Sequence, residues 1–387
     1  MKKTITLLAL FLLVSCKSYN DFTNQKVEPK VNGIQKMNLE NNQYISKFKI
    51  NGKEGDFLVD TGAMTSVITD TLFLNSFKLT KENFYTSIKL KGAGGMEVES
   101  DNFITDSVSS SLFNSSKKIF KVVKVNNLQN KNCTSEIEIK KTVGIIGIDF
   151  FKTANVPVLL DFENNTIKAL SNNYSFEGYT KLNAKISTYK PEIKLTFSVD
   201  NKEIDFLFDT GNSGGFLLQE KQGKFDEAKV LQNISMIVGT ANGFDVMTSK
   251  IYKDITIKLE NNFEINSNVL VLGNLTTNTL GISFIKNFNW ILDFTTGTIY
   301  VKKISDYSSQ FDSKAFSKDY VFANFNSKLL VGLKKIELQN SKFNVGDQIT
   351  AINNTKVTPE NICEMQDLLN KTQDLSVLKL EIIPFVK

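Results

Sequence analysis

Residues 48–62 read FKINGKEGDFLVDTG and residues 197–211 read FSVDNKEIDFLFDTG, so nine of fifteen positions are identical at an offset of 149 residues. A chain that repeats a segment this closely builds one structural unit twice, and any fold assigned to it must accommodate both copies. Each copy alternates apolar and polar residues up to a two-residue turn, Asn51-Gly52 or Asp200-Asn201, and a second apolar run then enters Asp-Thr-Gly. Period-two alternation around such a pair of residues predicts a β-hairpin.

The correspondence continues at shifting offsets. Gly92-Ala93-Gly94-Gly95-Met96-Glu97-Val98 is echoed by Thr240-Ala241-Asn242-Gly243-Phe244-Asp245-Val246. Ile145-Ile146-Gly147-Ile148 is echoed by Thr279-Leu280-Gly281-Ile282, and Leu160-Asp161-Phe162 by Leu292-Asp293-Phe294. Short runs rich in Val, Ile, Phe and Thr lie between these landmarks, and helical periodicity is confined to a short stretch after each apolar-Gly pair. The pattern predicts duplicated, mostly β architecture. A carboxylate at the end of each apolar strand would stand at the mouth of a packed core. The glycine after it lets backbone approach closely, and the threonine hydroxyl can bond a neighbouring loop.

Composition narrows the chemistry. The chain has no histidine, and all 46 of its basic residues are lysine. Histidine-based nucleophile systems, HExxH zinc sites and histidine general bases are thereby excluded, which leaves carboxylates as the strongest acid–base candidates for any hydrolase. The formal charge of +5 falls to about +3 without Lys2 and Lys3. With no arginine to read phosphate or guanine bidentately, nucleic acid is not an expected partner.

The doubled series of hairpin, Asp-Thr-Gly, glycine-rich segment and apolar-apolar-Gly resembles the retropepsin-like aspartic proteases, over residues 36–304. The resemblance implies two acid-protease β-barrel lobes in pseudo-twofold arrangement, residues 36–175 and 182–304, within a monomer that needs no metal or cofactor. It implies that Asp60 and Asp209 form a catalytic pair acting on a polypeptide substrate, and that Thr61, Gly62, Thr210 and Gly211 support them. Gly92, Gly94, Gly95, Thr240, Ala241 and Gly243 become flap residues. Copy two departs from the family pattern, with Asn212-Ser213-Gly214-Gly215 where copy one has Ala63, and its flap segment has fewer glycines, Gly243 alone against Gly92, Gly94 and Gly95. Two other readings stand beside this one: strand-end turns in a purely structural duplication, and a degenerate cleft that binds peptide without cutting it. Gly147 and Gly281 are expected to permit close packing, Asp161 and Asp293 to be structural, Asp101 and Asp149 to be ordinary surface carboxylates, and Trp290 to lie in the core.

At the N-terminus, Met1-Lys2-Lys3 precedes an apolar run at residues 4–14, too short for a mature membrane span and shaped like a signal segment. Leu13-Val14-Ser15-Cys16 resembles the lipobox of bacterial lipoproteins. The resemblance implies loss of residues 1–15, lipid on Cys16, membrane attachment through that lipid and a place in the cell envelope, on the outer membrane. Residues 16–35 read as a tether. Cys133 and Cys363 then remain far apart in sequence and are expected to be buried free thiols.

Residues 305–318 read as a linker, and the stretch from Phe343 to Asn354, FNVGDQITAINN, resembles the Val-Gly-Asp segment of PDZ domains. That resemblance implies a small α+β domain over residues 319–387, with a helix at 358–370 and a last strand at 378–384. Without a clear carboxylate-binding loop, strand addition by a peptide and a packing role with no ligand both stay open.

Overall fold

The computed structural model describes residues 25–385 apart from 41, 81–82, 92–96, 124–132, 134–141, 172, 187–191, 241–242, 260–262, 308–316, 326 and 339–341. The protein is mostly β, as expected. Both repeat copies are hairpins: Gln43–Ile50 pairs with Lys53–Asp60, and Ile193–Val199 with Lys202–Phe208. Their two-residue turns place both residues in the left-handed region, with φ of 47° and 80° at Asn51 and Gly52 and of 49° and 66° at Asp200 and Asn201. Asn, Asp and Gly tolerate that region, and its twist matches that of the flanking strands.

The two halves then follow one plan. In the first, Gly144–Gly147 lies parallel to Lys53–Asp60, with Gly147 opposite Asp60, while Val67–Ile68 runs antiparallel to it on its other side. In the second, Thr279–Leu280 lies parallel to Lys202–Phe208, and Phe216–Gln219 runs antiparallel beside it. Each half adds a long hairpin, Phe84–Lys91 with Glu97–Thr105 or Val230–Thr240 with Gly243–Leu259. Short helices follow the apolar-Gly pairs, Ile148–Ala154 and Ile282–Ile285.

The halves meet in a six-stranded antiparallel sheet. Pro157–Asp161 pairs with Phe288–Asp293 at its centre, and Thr166–Ala169 and Thr298–Lys303 flank them. Ile34–Lys36 forms one edge, and Thr180–Ile186 lies on the other side, where its last residues pair onward with Ile193–Val199. A single apolar cluster runs through both halves, and Trp290 is buried in it with its ring N–H bonded to the Ile285 carbonyl at 2.8 Å. At the sheet's turns Asp161 accepts from Lys168 and Asn164, and Asp293 from Thr295 and Thr296, so both carboxylates are structural.

Several expectations need correction. Residues 27–29 and 34–35, assigned to a tether from composition, lie in strands, since Val27–Pro29 pairs with Phe113–Ser115 and Ile34–Lys36 forms the sheet edge above. Val27 and Met37 are buried there, two isolated apolar anchors in a polar stretch that periodicity does not reveal. Cys133 and Cys363 are not free thiols but form a disulfide. Spacing could not suggest it, because the bond joins the first half to the C-terminal region across 230 residues. Asp149 is not an ordinary surface carboxylate: it pairs at 2.7 Å with Lys118, which is buried. Asp101 is partly buried and accepts from Ser87. Residues 1–24, including Cys16, lie outside the described residues, and no helix among those described is long and apolar enough to cross a membrane.

The C-terminal region comprises strands Tyr320–Phe325, Lys328–Lys335, Gln348–Ile352, Thr355–Lys356 and Leu380–Ile383 with one helix, Ile362–Lys371. It has its own apolar core around Phe322, Leu329, Val331, Ile349 and Leu369. The helix starts four residues later than the sequence suggests. The chain over 358–361 instead forms a turn in which Asn361 accepts from the Thr358 amide and donates to the Lys356 carbonyl.

Candidate active site

The two Asp-Thr-Gly loops meet. Thr61 and Thr210 are almost fully buried, and their backbones and side chains bond reciprocally. The Thr61 N–H donates to Thr210 Oγ1 at 3.0 Å, and the Thr210 N–H to Thr61 Oγ1 at 3.1 Å. Each hydroxyl also donates across to the opposite strand, Thr61 to the Phe208 carbonyl and Thr210 to the Val59 carbonyl, both at 2.7 Å. Every polar group in this lock has a partner, as burial requires.

The same lock brings the carboxylates together. Asp60 Oδ1 accepts from the amides of Gly62 and Ala63 at 2.8 and 3.1 Å, and Asp209 Oδ1 from those of Gly211 and Asn212 at 3.0 and 3.1 Å. A Cβ added to Gly62 would stand 2.4 Å from Asp209 Cγ, and one added to Gly211 would stand 2.4 Å from Asp60 Cγ. Each glycine is therefore required by the opposite carboxylate, so the two carboxyls stand side by side across the paired loops.

Electrostatics follow from that placement. Burial raises the Asp60 carboxyl above the ordinary range, while the neighbouring Asp209 carboxyl and the amides of Gly62, Ala63 and Gly211 pull against it. Asp209 is held well above the ordinary range by burial first, then by the charge and closeness of Asp60. Two like charges so close resist joint ionisation, so the pair retains one proton beyond the usual carboxylate range and titrates as a unit. Such a pair offers a base and an acid side by side.

Gly147 and Gly281 stand directly behind the loops. A Cβ on Gly147 would meet the Ala63 carbonyl at 2.6 Å, and one on Gly281 the Gly214 carbonyl at 2.2 Å, so both permit the close packing expected of them. Behind the first loop, the Gly147 amide donates to Ser66 Oγ at 3.1 Å, and Ser66 donates to Asp149 at 2.9 Å. The departure in copy two also has a structural use. Asn212 donates to Thr279 Oγ1 at 2.8 Å and accepts from the Gly214 amide at 2.9 Å, which pins the longer polar loop.

Sequence reading missed Ser66 and Lys118, took Asp149 for a surface carboxylate, and marked Asn212 only as a departure from the family pattern. Only Asn212 left a trace, as an amide where the first copy has alanine. Of the expected flap residues, Gly92, Gly94, Gly95 and Ala241 lie outside the described residues, while Thr240 and Gly243 pair at the end of the second long hairpin. The described residues contain no group of carboxylates and cysteines suited to a metal ion. A family model described as aspartyl protease matches residues 46–150, a span containing the Asp60 loop, the first long hairpin and the Gly147 segment. No curated protein matches the chain.

Proposed function

We propose that this protein is an aspartic endopeptidase whose catalytic pair is Asp60 and Asp209, in a cleft between two homologous acid-protease lobes of one chain. The carrying observation is the reciprocal geometry at the two loops, where each glycine is shaped by the opposite carboxylate. The aspartyl-protease match over residues 46–150 supports the first half directly, and the shared strand plan extends the reading to the second. In this scheme the ionised carboxyl takes a proton from a water molecule, and the protonated one donates to the scissile carbonyl oxygen. The water then attacks the carbonyl carbon, and the proton held by the pair passes to the leaving amine. No covalent enzyme intermediate forms.

The test is cleavage of an unfolded polypeptide by the purified chain over about pH 4–7, the range bracketing titration of such a pair. Asp60→Asn and Asp209→Asn should each abolish cleavage while leaving the fold intact. Parental cutting by either variant would refute the mechanism. Binding without fragments at every pH would instead identify a degenerate, peptide-holding cleft.

We also propose export and lipid attachment at Cys16, on the strength of the cationic start, the apolar run and Leu13-Val14-Ser15-Cys16. The Cys133–Cys363 disulfide supports an oxidising compartment. Fatty-acid labelling of the expressed chain should depend on Cys16 and disappear in Cys16→Ser. The C-terminal region is read as PDZ-like, on its Val345-Gly346-Asp347 segment and its strand–helix order.

A further inference from the structure

The cleavage scheme gives the C-terminal domain no task, yet that domain is joined to both lobes. The outer edge of strand Tyr320–Phe325 faces helix Ile362–Lys371 and is already satisfied by it. Asn370 accepts from the Phe322 amide and donates to the Phe322 carbonyl, both at 2.9 Å, and Gln366 accepts from the Asn324 amide at 3.0 Å. Cys363, at the same helical spacing one turn earlier, carries the disulfide to Cys133 of the first lobe. The space between strand and helix is therefore spent on the chain's own atoms.

The neighbouring strand does bind something. Lys328–Lys335 pairs antiparallel with Val230–Thr240, the first strand of the second lobe's long hairpin, in the register Ile234↔Lys335, Ser235↔Lys334 and Met236↔Leu333. The Ile336 amide donates to the Asn233 carbonyl at 3.0 Å, and Asn233 donates to Glu337 at 3.0 Å. Ile234, Ile251 and Leu333 form a small apolar cluster there, with Met236, Leu270 and Val321 against it. At the hairpin's far end Phe244 packs on Phe325, centroids 4.7 Å apart, and on Phe385 at 5.7 Å. The first lobe's equivalent hairpin has no such cover, because Phe84–Lys91 is the last strand of its sheet among the described residues.

We propose that the C-terminal domain is a positioning module that adds its strand to the second-lobe hairpin and holds that hairpin in register for substrate binding. The role rests on the endopeptidase reading, in which this hairpin is the second flap. Substrate affinity then depends on the domain, whereas the chemistry at Asp60 and Asp209 does not. Peptide is held beneath one anchored hairpin and one that lacks this anchor.

The test uses the full chain with Leu333→Asp, which puts a charge into the interface cluster and not into the domain's own core. Hydrogen exchange at residues 233–237 should accelerate about tenfold or more, with protection at 349–352 unchanged, since breaking a buried apolar contact with a charge exceeds 1.4 kcal/mol. KM for an unfolded polypeptide should rise about tenfold with kcat within about twofold, the split expected when uniform binding is lost. Unchanged protection at 233–237, or a fall in kcat at constant KM, would overturn the proposal. If the substitution also unfolds residues 349–352, Phe244→Ala makes the same measurement from the hairpin side. A parental chain that cuts nothing would defeat the endopeptidase reading alone, because hydrogen exchange still judges the anchor.

Discussion

Replacing Thr61 by valine tests the lock between the two Asp-Thr-Gly loops with almost no change in shape. The Thr61 hydroxyl donates to the Phe208 carbonyl at 2.7 Å and accepts from the Thr210 amide at 3.1 Å, where Thr61 is 1% and Thr210 2% exposed. Valine leaves both backbone groups unpartnered and out of reach of water. Each orphaned group costs about 1–3 kcal/mol, so the variant should lose about 2–6 kcal/mol of local stability. That corresponds to about 30-fold to 10⁴-fold in the opening equilibrium. Thr210→Val removes the symmetric pair, the Val59 carbonyl and the Thr61 amide, and should cost a similar amount. A chain with more than one core need not unfold in two states, so a local probe is required. Hydrogen exchange at the Thr61 and Thr210 amides supplies it, read alongside cleavage. Thr61→Ser keeps the hydroxyl and should retain most of the protection. If Thr61→Val shifts the local opening free energy by less than about 0.5 kcal/mol, the lock does not hold the site together as described.

Asp209→Asn should also reveal the strain of the carboxyl pair. The folded pKa of Asp209 lies well above its ordinary value of 3.8, so the folded state binds the extra proton more tightly than the unfolded chain does. Wild-type stability should therefore fall as pH rises from about 3.8 through the folded pKa, and Asn, which never ionises, should escape that loss. Denaturant unfolding should show the variant gaining on the wild type toward neutral pH, with the gap closing in acid; a gap independent of pH would refute the assignment. Lys118→Met leaves Asp149, only 19% exposed at its side chain, without its buried cation, and should cost about 3–5 kcal/mol. The double variant Lys118→Met/Asp149→Leu should recover part of it, and a single variant as stable as the parent would show that the pair carries no weight.

The two hairpins were legible because their chemistry is local and repeated twice, and the buried Trp290 because it sits in an apolar run. Asn51-Gly52 and Asp200-Asn201 announce their turns by residue type, and the alternation beside them sets which face is buried. What escaped notice depends on partners remote in sequence. Lys118 and Asp149 are 31 positions apart with nothing in either to mark a buried pair, and Cys133 and Cys363 give no spacing to read. The strand Ile34–Lys36 escaped for another reason. It is an edge strand with only Gln35 buried, where Gln35 donates to Ser46 and to the Lys47 carbonyl, so its inward side carries an amide instead of an apolar residue.

The pattern of divergence between the halves follows from which atoms face each other. Gly62, Gly211, Thr61 and Thr210 touch their opposite numbers or the opposite aspartate, so a change in one half must be met in the other. Residues one layer back need only satisfy the same backbone groups, and there the halves differ. The Gly147 amide bonds the Ser66 hydroxyl, whereas the Gly281 amide bonds the Gly215 carbonyl at 2.8 Å. By the sheet registers, Ser66 corresponds to Phe216, and Lys118 and Asp149 correspond to Ser267 and Ser283. A buried ion pair thus backs one loop, and hydroxyls and an aromatic ring back the other. Two identical subunits could not diverge this way, because a twofold interface imposes every residue twice. The single strand Lys328–Lys335 takes the same freedom further, since it occurs once and can extend only one of the two hairpins. With both Asp-Thr-Gly loops in one chain, matched carboxylates can therefore stand before unmatched walls.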